Sequence, residues 1–238
     1  MCFLHKRALI VFMLLSFTAS ANMTVYPMTV SLDAKGEGSV RLLSRTNEVQ
    51  FVKTKILKIT NPGTPEEKEV DINSYNGEGL VIMPPKLTIP GGSSKLVRFV
   101  AMNIPEKEEI YRVMFQAVPS LDDDISDGTK GINTDVSVNL VWGILVSVPP
   151  AHPKIDIALS ADHQYLQNNG TQRIKITDIG LCKQTDTDKK CDWKKDNHNI
   201  FPEKQYRLPD TRGYRVLVIK YKDWIKKTSD GELKFNLN

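Results

Sequence analysis

Apolar and polar residues along this chain alternate over short runs, and turn residues punctuate the runs. Val25 to Leu32, Ser39 to Leu43, Val49 to Ile59, Leu80 to Met83, Lys95 to Met102 and Tyr111 to Val118 are rich in Val, Ile, Phe and Tyr. Such runs, bounded by Gly, Pro, Asn or Asp, predict β-strands. Turns are expected at Asn61-Pro62-Gly63, at Asn76-Gly77 and at Pro90-Gly91-Gly92, and Pro84-Pro85 breaks the sheet pattern because proline cannot donate to a central ladder. No amphipathic helical stretch of ordinary length competes, so the pattern points to an all-β sandwich.

From Pro119 to Asp135 the sequence is polar and glycine-bearing, with little to bury, and a mobile loop is expected. A long strand follows. Strand periodicity puts Val136, Val138, Leu140 and Trp142 on one face and Ser137, Asn139, Val141 and Gly143 on the other, running on to Val148. Spacing alone leaves two readings open for the apolar face: an inward row packing on its own core, or a comb offered to a partner. Val148-Pro149-Pro150-Ala151-His152-Pro153 reads as a stiff extended linker. Strand character then resumes at Lys154 to Leu159, Gln172 to Asp178, Tyr206 to Leu208, Tyr214 to Tyr221 and Leu233 to Leu237. The expected organisation is therefore an export signal over 1–21, a first domain over 22–150 and a second over 151–238.

The export signal is read from Lys6 and Arg7, the apolar run from Ala8 to Phe17, and the small residues Ala19-Ser20-Ala21 before Asn22. Its apolar part is short for a membrane span, so cleavage is the main reading and an uncleaved anchor the alternative. The roughly 215 residues that remain suit two domains of about 100 each. Loss of Lys6 and Arg7 takes the formal charge from +4 to +2, and no basic block interleaved with aromatics signals nucleic acid. Cys2 leaves with the signal, and Cys182 and Cys191 remain as a pair. In an oxidising compartment that favours a disulfide closing a short loop; the rival is a metal site with Asp192 or His198, for which the cysteine spacing is unsuited.

Catalytic chemistry finds no purchase. The sequence contains no Gly-x-Ser-x-Gly, no phosphate-cradling glycine loop and no His-Glu-x-x-His, and His5, His152, His163 and His198 are scattered. No enzyme, no cofactor, no metal and no small-molecule substrate is expected.

An ordered set of segments carries a resemblance: Met23-Thr24-Val25-Tyr26-Pro27, the run from Glu48 to Ile56, Asn61-Pro62-Gly63-Thr64, the run from Pro105 to Val113, the strand ending at Pro149-Pro150, and the cysteine pair followed by Trp193. In these the chain resembles the periplasmic pilus (fimbrial) assembly chaperones, in the alternate chaperone-usher branch serving colonisation-factor (class 5) fimbriae. The resemblance implies two immunoglobulin-like β-sandwich domains in a boomerang arrangement. It implies a periplasmic protein whose partners are fimbrial subunits, both major pilin and tip adhesin, and an outer-membrane usher. Subunits would be held by donor-strand complementation, a form of β-strand addition, through Val136, Val138, Leu140 and Trp142.

In the better-known branch an Arg near the first strand and a Lys late in the long strand anchor the subunit's terminal carboxylate. Those places fall here near Pro27 or Met28 and near Leu145, none of them basic. Lys55 with Arg112, and then Lys53, are the substitute candidates, and solvated surface charge is the alternative for each. Arg98, Glu108 (or its neighbour Glu109) and Asp210 occupy the places of an interdomain salt-bridge network. Two other functions fit an exported all-β chain: a structural or adhesive fimbrial subunit, and a surface-recognition module.

Overall fold

In a computed structural model of the chain, residues 22–72, 79–119, 121, 140–183, 191–226 and 230–237 are described. The export segment, Asn76-Gly77, Val136 and Val138 lie outside them. Every regular element among the described residues is a strand.

Ten strands precede the linker: β1 (Met23–Tyr26), β2 (Thr29–Ser31), β3 (Glu37–Ser44), β4 (Gln50–Thr60), β5 (Lys68–Asp71), β6 (Leu80–Met83), β7 (Lys86–Ile89), β8 (Ser94–Ala101), β9 (Glu109–Val118) and β10 (Val141–Val148). They form two sheets, one in the order β1-β3-β8-β6, the other in the order β2-β10-β9-β4-β5 with β7 also on β4. The single run expected over Val25 to Leu32 is cut at Pro27, so that β1 pairs with β3 in one sheet and β2 lies parallel to β10 in the other. A chain that changes sheets there ties the two layers together. Alternation does the rest: Val52, Ile56, Val113, Phe115, Ile144 and Val146 from one sheet meet Val40, Leu42, Leu80, Val97 and Phe99 from the other in one buried core.

Seven more strands follow: β11 (Ile157–Leu159), β12 (Tyr165–Asn168), β13 (Ile174–Cys182), β14 (Cys191–Ile200), β15 (Gln205–Arg207), β16 (Val216–Lys222) and β17 (Asp230–Asn236). A sheet β11-β12-β15 packs on a sheet β14-β13-β16-β17 around Leu166, Ile174, Ile176, Ile179, Ile200, Leu217 and Ile219. β13 carries a bulge between Ile176 and Asp178. A bulge inserts one residue and shifts the alternation, which lets Ile176 and Ile179 both face the core. Cys182 and Cys191 are directly opposed on β13 and β14, and their sulfurs are bonded. The disulfide is therefore present, and the metal reading of these thiols falls with it. The molecule is two immunoglobulin-like sandwiches.

Candidate functional site

β10 changes its surroundings along its length. From Leu145 to Ser147 it is flanked by β9 on one side and β2 on the other. Before Leu145, β9 is its only partner among the described residues. The Leu145 amide donates to the Met28 carbonyl at 3.1 Å, away from β9. Residues two and four positions earlier, Gly143 and Val141, share that direction by strand periodicity, so their backbone groups face an unpaired edge.

The side chains change in step. Ile144 and Val146 are wholly buried, Trp142 is half-buried against the same core, and Leu140, on the same face, is 49% exposed. The apolar row therefore leaves the protein's own core between Trp142 and Leu140. Both readings of the row apply, each to a different part of it.

Other sheet edges are closed to partners by their chemistry. β5 is Lys-Glu-Val-Asp, β14 carries Lys194 and Lys195, and β1 and β6 are four residues each and run into Pro27 and Pro84. The open part of β10 shows Leu140 and Val141, both large, apolar and exposed.

Lys53, Lys55 and Arg112 share the outer face of the sheet that contains β10. Lys53 is opposite Gln116, Lys55 opposite Met114, and Arg112 lies between Leu57 and Leu145. Two of these cations are held by carboxylates of β5: Lys55 Nζ lies 2.8 Å from Asp71, and Arg112 Nε donates to Glu69.

The interdomain network differs from expectation. Glu108 is its centre, but Arg98 and Asp210 are not its members. Arg98 is exposed on β8, opposite Ser39 and Met83, and Asp210 pairs with Arg212, two residues away, in the second sandwich. The partners are Arg173 and Trp224. Glu108, with no exposed side-chain surface, accepts from the Arg173 guanidinium, from the Arg173 amide at 2.7 Å and from Trp224 Nε1 at 3.1 Å. Arg173 also lies over the Trp224 ring, 4.5 Å from its centroid. Burial pulls the Arg173 guanidinium down to about 10, so it stays charged at neutral pH. Glu109, the alternative by one position, takes the Lys58 ammonium and the Tyr111 hydroxyl within the first sandwich.

Beside this pair Phe201 is buried against Ile59, Ile110 and Leu145 on the outer face of the first sandwich. Gly63, at φ +74°, closes over its ring: a Cβ there would stand 3.1 Å from Phe201 Cδ2. Only glycine combines that backbone with that approach. Between the sandwiches is a cleft of about 740 Å³, walled by Thr29, Ser31, Leu145 and Ser147 on one side and by Arg173, Lys175, Asn199, Lys222 and Trp224 on the other. Arg173, Lys175, Phe201 and Lys222 carry no mark in the sequence, since each becomes recognisable only when the second sheet turns it toward the first sandwich.

Two immunoglobulin-like sandwiches meeting at a cleft, with an apolar strand edge left open beside it, form the architecture of the pilus chaperones. The chain is 36% identical over 222 residues to a CFA/I fimbrial protein of Escherichia coli, a match covering 91% of this chain and 92% of the relative. The crystal structure of the class 5 fimbriae chaperone CfaA matches 90% of this chain and 98% of its own, at 33% identity and a TM-score of 0.77. A structure of a chaperone-tip adhesin complex of CFA/I fimbriae biogenesis matches 91% and 98% at 33% identity, with a TM-score of 0.74. No protein-family profile matches the chain. The chain belongs to the class 5 fimbrial chaperones.

Proposed function

We propose that this protein binds fimbrial subunits in the periplasm, holds them folded by donor-strand complementation and delivers them to an outer-membrane usher. The observation that carries this reading is β10, whose unpaired edge begins where its apolar row leaves the core, at Leu140. A subunit lacking one strand exposes an apolar groove and unsatisfied backbone groups. The required donor must supply a ladder partner and alternate apolar side chains together. Val136 and Val138 continue the alternation of Leu140 in the sequence. At about 25 cal/mol per Å² of apolar surface, three such side chains contribute several kcal/mol before ordering costs.

The work is binding rather than catalysis, and the partners are major pilin and tip adhesin. A relative solved as a chaperone-tip adhesin complex supports this. The export segment over 1–21 and the division at Pro149-Pro150 belong to the same reading. Lys53, Lys55 and Arg112 remain candidates for the carboxylate anchor, but Lys55 and Arg112 would first have to leave Asp71 and Glu69.

Co-expression with candidate subunits, comparing wild type with Val138→Asp, Leu140→Asp, tests the proposal. A stoichiometric complex with wild type, lost in a double variant that melts normally, is the expected outcome. A complex indifferent to both changes would remove strand donation from consideration.

A further inference from the structure

The positive charges of the first sandwich's outer face are largely neutralised by their own sheet, whereas the opposite wall of the cleft is not. Lys175 on β13 and Lys222 on β16 are directly opposed in register and both line the cleft. Like charges so placed repel, and a fold gains nothing from the pairing itself. On the other flank of Lys175 the residue in register is Asn199 of β14, which is neutral and also lines the cleft. Arg173, two residues along the same strand, is a further cation on the same face.

The carboxylates nearby are committed or lie to one side. Glu108 is taken by Arg173 and Trp224, and Asp223 accepts from the amides of Ile225 and Lys226 at 2.9 and 3.1 Å. Asp230 is in register with Lys222, on the side away from Lys175. Lys175 thus has a cation on one side, an amide on the other and no carboxylate in register with it on either neighbouring strand. It faces a cavity whose far wall offers the hydroxyls of Thr29, Ser31 and Ser147.

We infer that Lys175, flanked by Lys222 and Asn199, forms an anion site on the second sandwich that takes a carboxylate of the polypeptide held in the cleft. The inference rests on the proposed function for the polypeptide and on the cleft for the site. An ammonium relieved of a like-charged neighbour by an incoming anion gains more than an already paired one, and hydrogen bonds to charged groups are the strong ones in a partly dehydrated cavity. The same contact would fix the register of a strand otherwise held through its backbone.

The test is binding of a subunit that wild type captures. Lys175→Gln should weaken the complex about ten- to a hundredfold, the range of one charge-assisted hydrogen bond, and Lys175→Arg should restore most of it. The free Lys175→Gln protein should melt at or slightly above the wild-type temperature, because a repulsion has been removed; a fall in melting temperature would show a structural role and overturn the inference. A subunit extended past its last residue separates the sources. If Lys175→Gln has no effect on its binding, the anion is the terminal carboxylate; if the weakening persists, it is an acidic side chain, and both results support the site. Unchanged affinity of Lys175→Gln for the unextended subunit would overturn the anion site while leaving strand donation intact. Failure of wild type to bind any subunit would overturn both.

Discussion

Three donors converge on the Glu108 carboxylate, all from the second sandwich, and its side chain is closed to water. Neutralising it strands the Arg173 guanidinium in a buried place. Breaking such a pair by removing one partner costs about 3–5 kcal/mol. Glu108→Ala is therefore expected to lower unfolding stability by that amount in urea titration. Glu108→Leu with Arg173→Met should recover most of the loss, since an apolar pair of similar volume needs no desolvation. Because burial leaves Arg173 charged up to about pH 10, the effect should be flat between pH 6 and pH 8 on the guanidinium side. Glu108 was legible in the sequence only through resemblance, and its partners were not. Arg98 and Asp210 are charged residues at familiar places, but an exposed position on β8 and a local pairing with Arg212 keep them out of the joint. Arg173 lies 65 residues from Glu108, and no local pattern spans that separation.

Strands were readable where one face is buried and the other wet. β3, β8 and β9 alternate cleanly and fall within a few residues of their expected limits. β14 went unseen because its ten residues, Cys-Asp-Trp-Lys-Lys-Asp-Asn-His-Asn-Ile, show no apolar alternation and end buried only at Ile200. It is an edge strand held by its ladder to β13 and by the disulfide at its start. A bridge between residues nine apart contributes about 2–3 kcal/mol by the chain-entropy argument. Cys182→Ala with Cys191→Ala should lose that much in denaturant unfolding relative to the oxidised protein. For β10 two substitutions on the same face should part company. Leu140→Asp is expected to change the stability of the free protein by less than about 0.5 kcal/mol, as exposed positions do. Ile144→Asp, wholly buried, should abolish folding, which far-ultraviolet circular dichroism would detect.

Across the whole molecule the two cores are separate and touch through a small joint: Phe201 with Ile59, Ile110 and Leu145, and the Glu108 cluster. Phe201→Ala should uncouple them, giving two resolved calorimetric transitions where the parent gives one, with the second sandwich's own transition little shifted. A single cooperative transition in the variant would show that the linker and Glu108 couple the cores without Phe201. That there would be two sandwiches followed from strand count and the proline run. How they face one another did not, because the facing surface of the second is built of a phenylalanine, an arginine and lysines that read as unremarkable in sequence.

The bulge in β13 gives that facing surface its dependence on chain length. Before Thr177 the odd-numbered residues Arg173 and Lys175 look outward; after it the even-numbered Asp178 and Gly180 do, matched across the ladder to Lys220 and Val218. A strand of this kind has two reading frames joined at one residue. Replacing Thr177 leaves the frames in place, whereas deleting it would throw one half out of phase, sending cations into the core and isoleucines into the cleft. Among descendants of this gene, substitutions at position 177 are thus expected to be common and single-residue deletions absent.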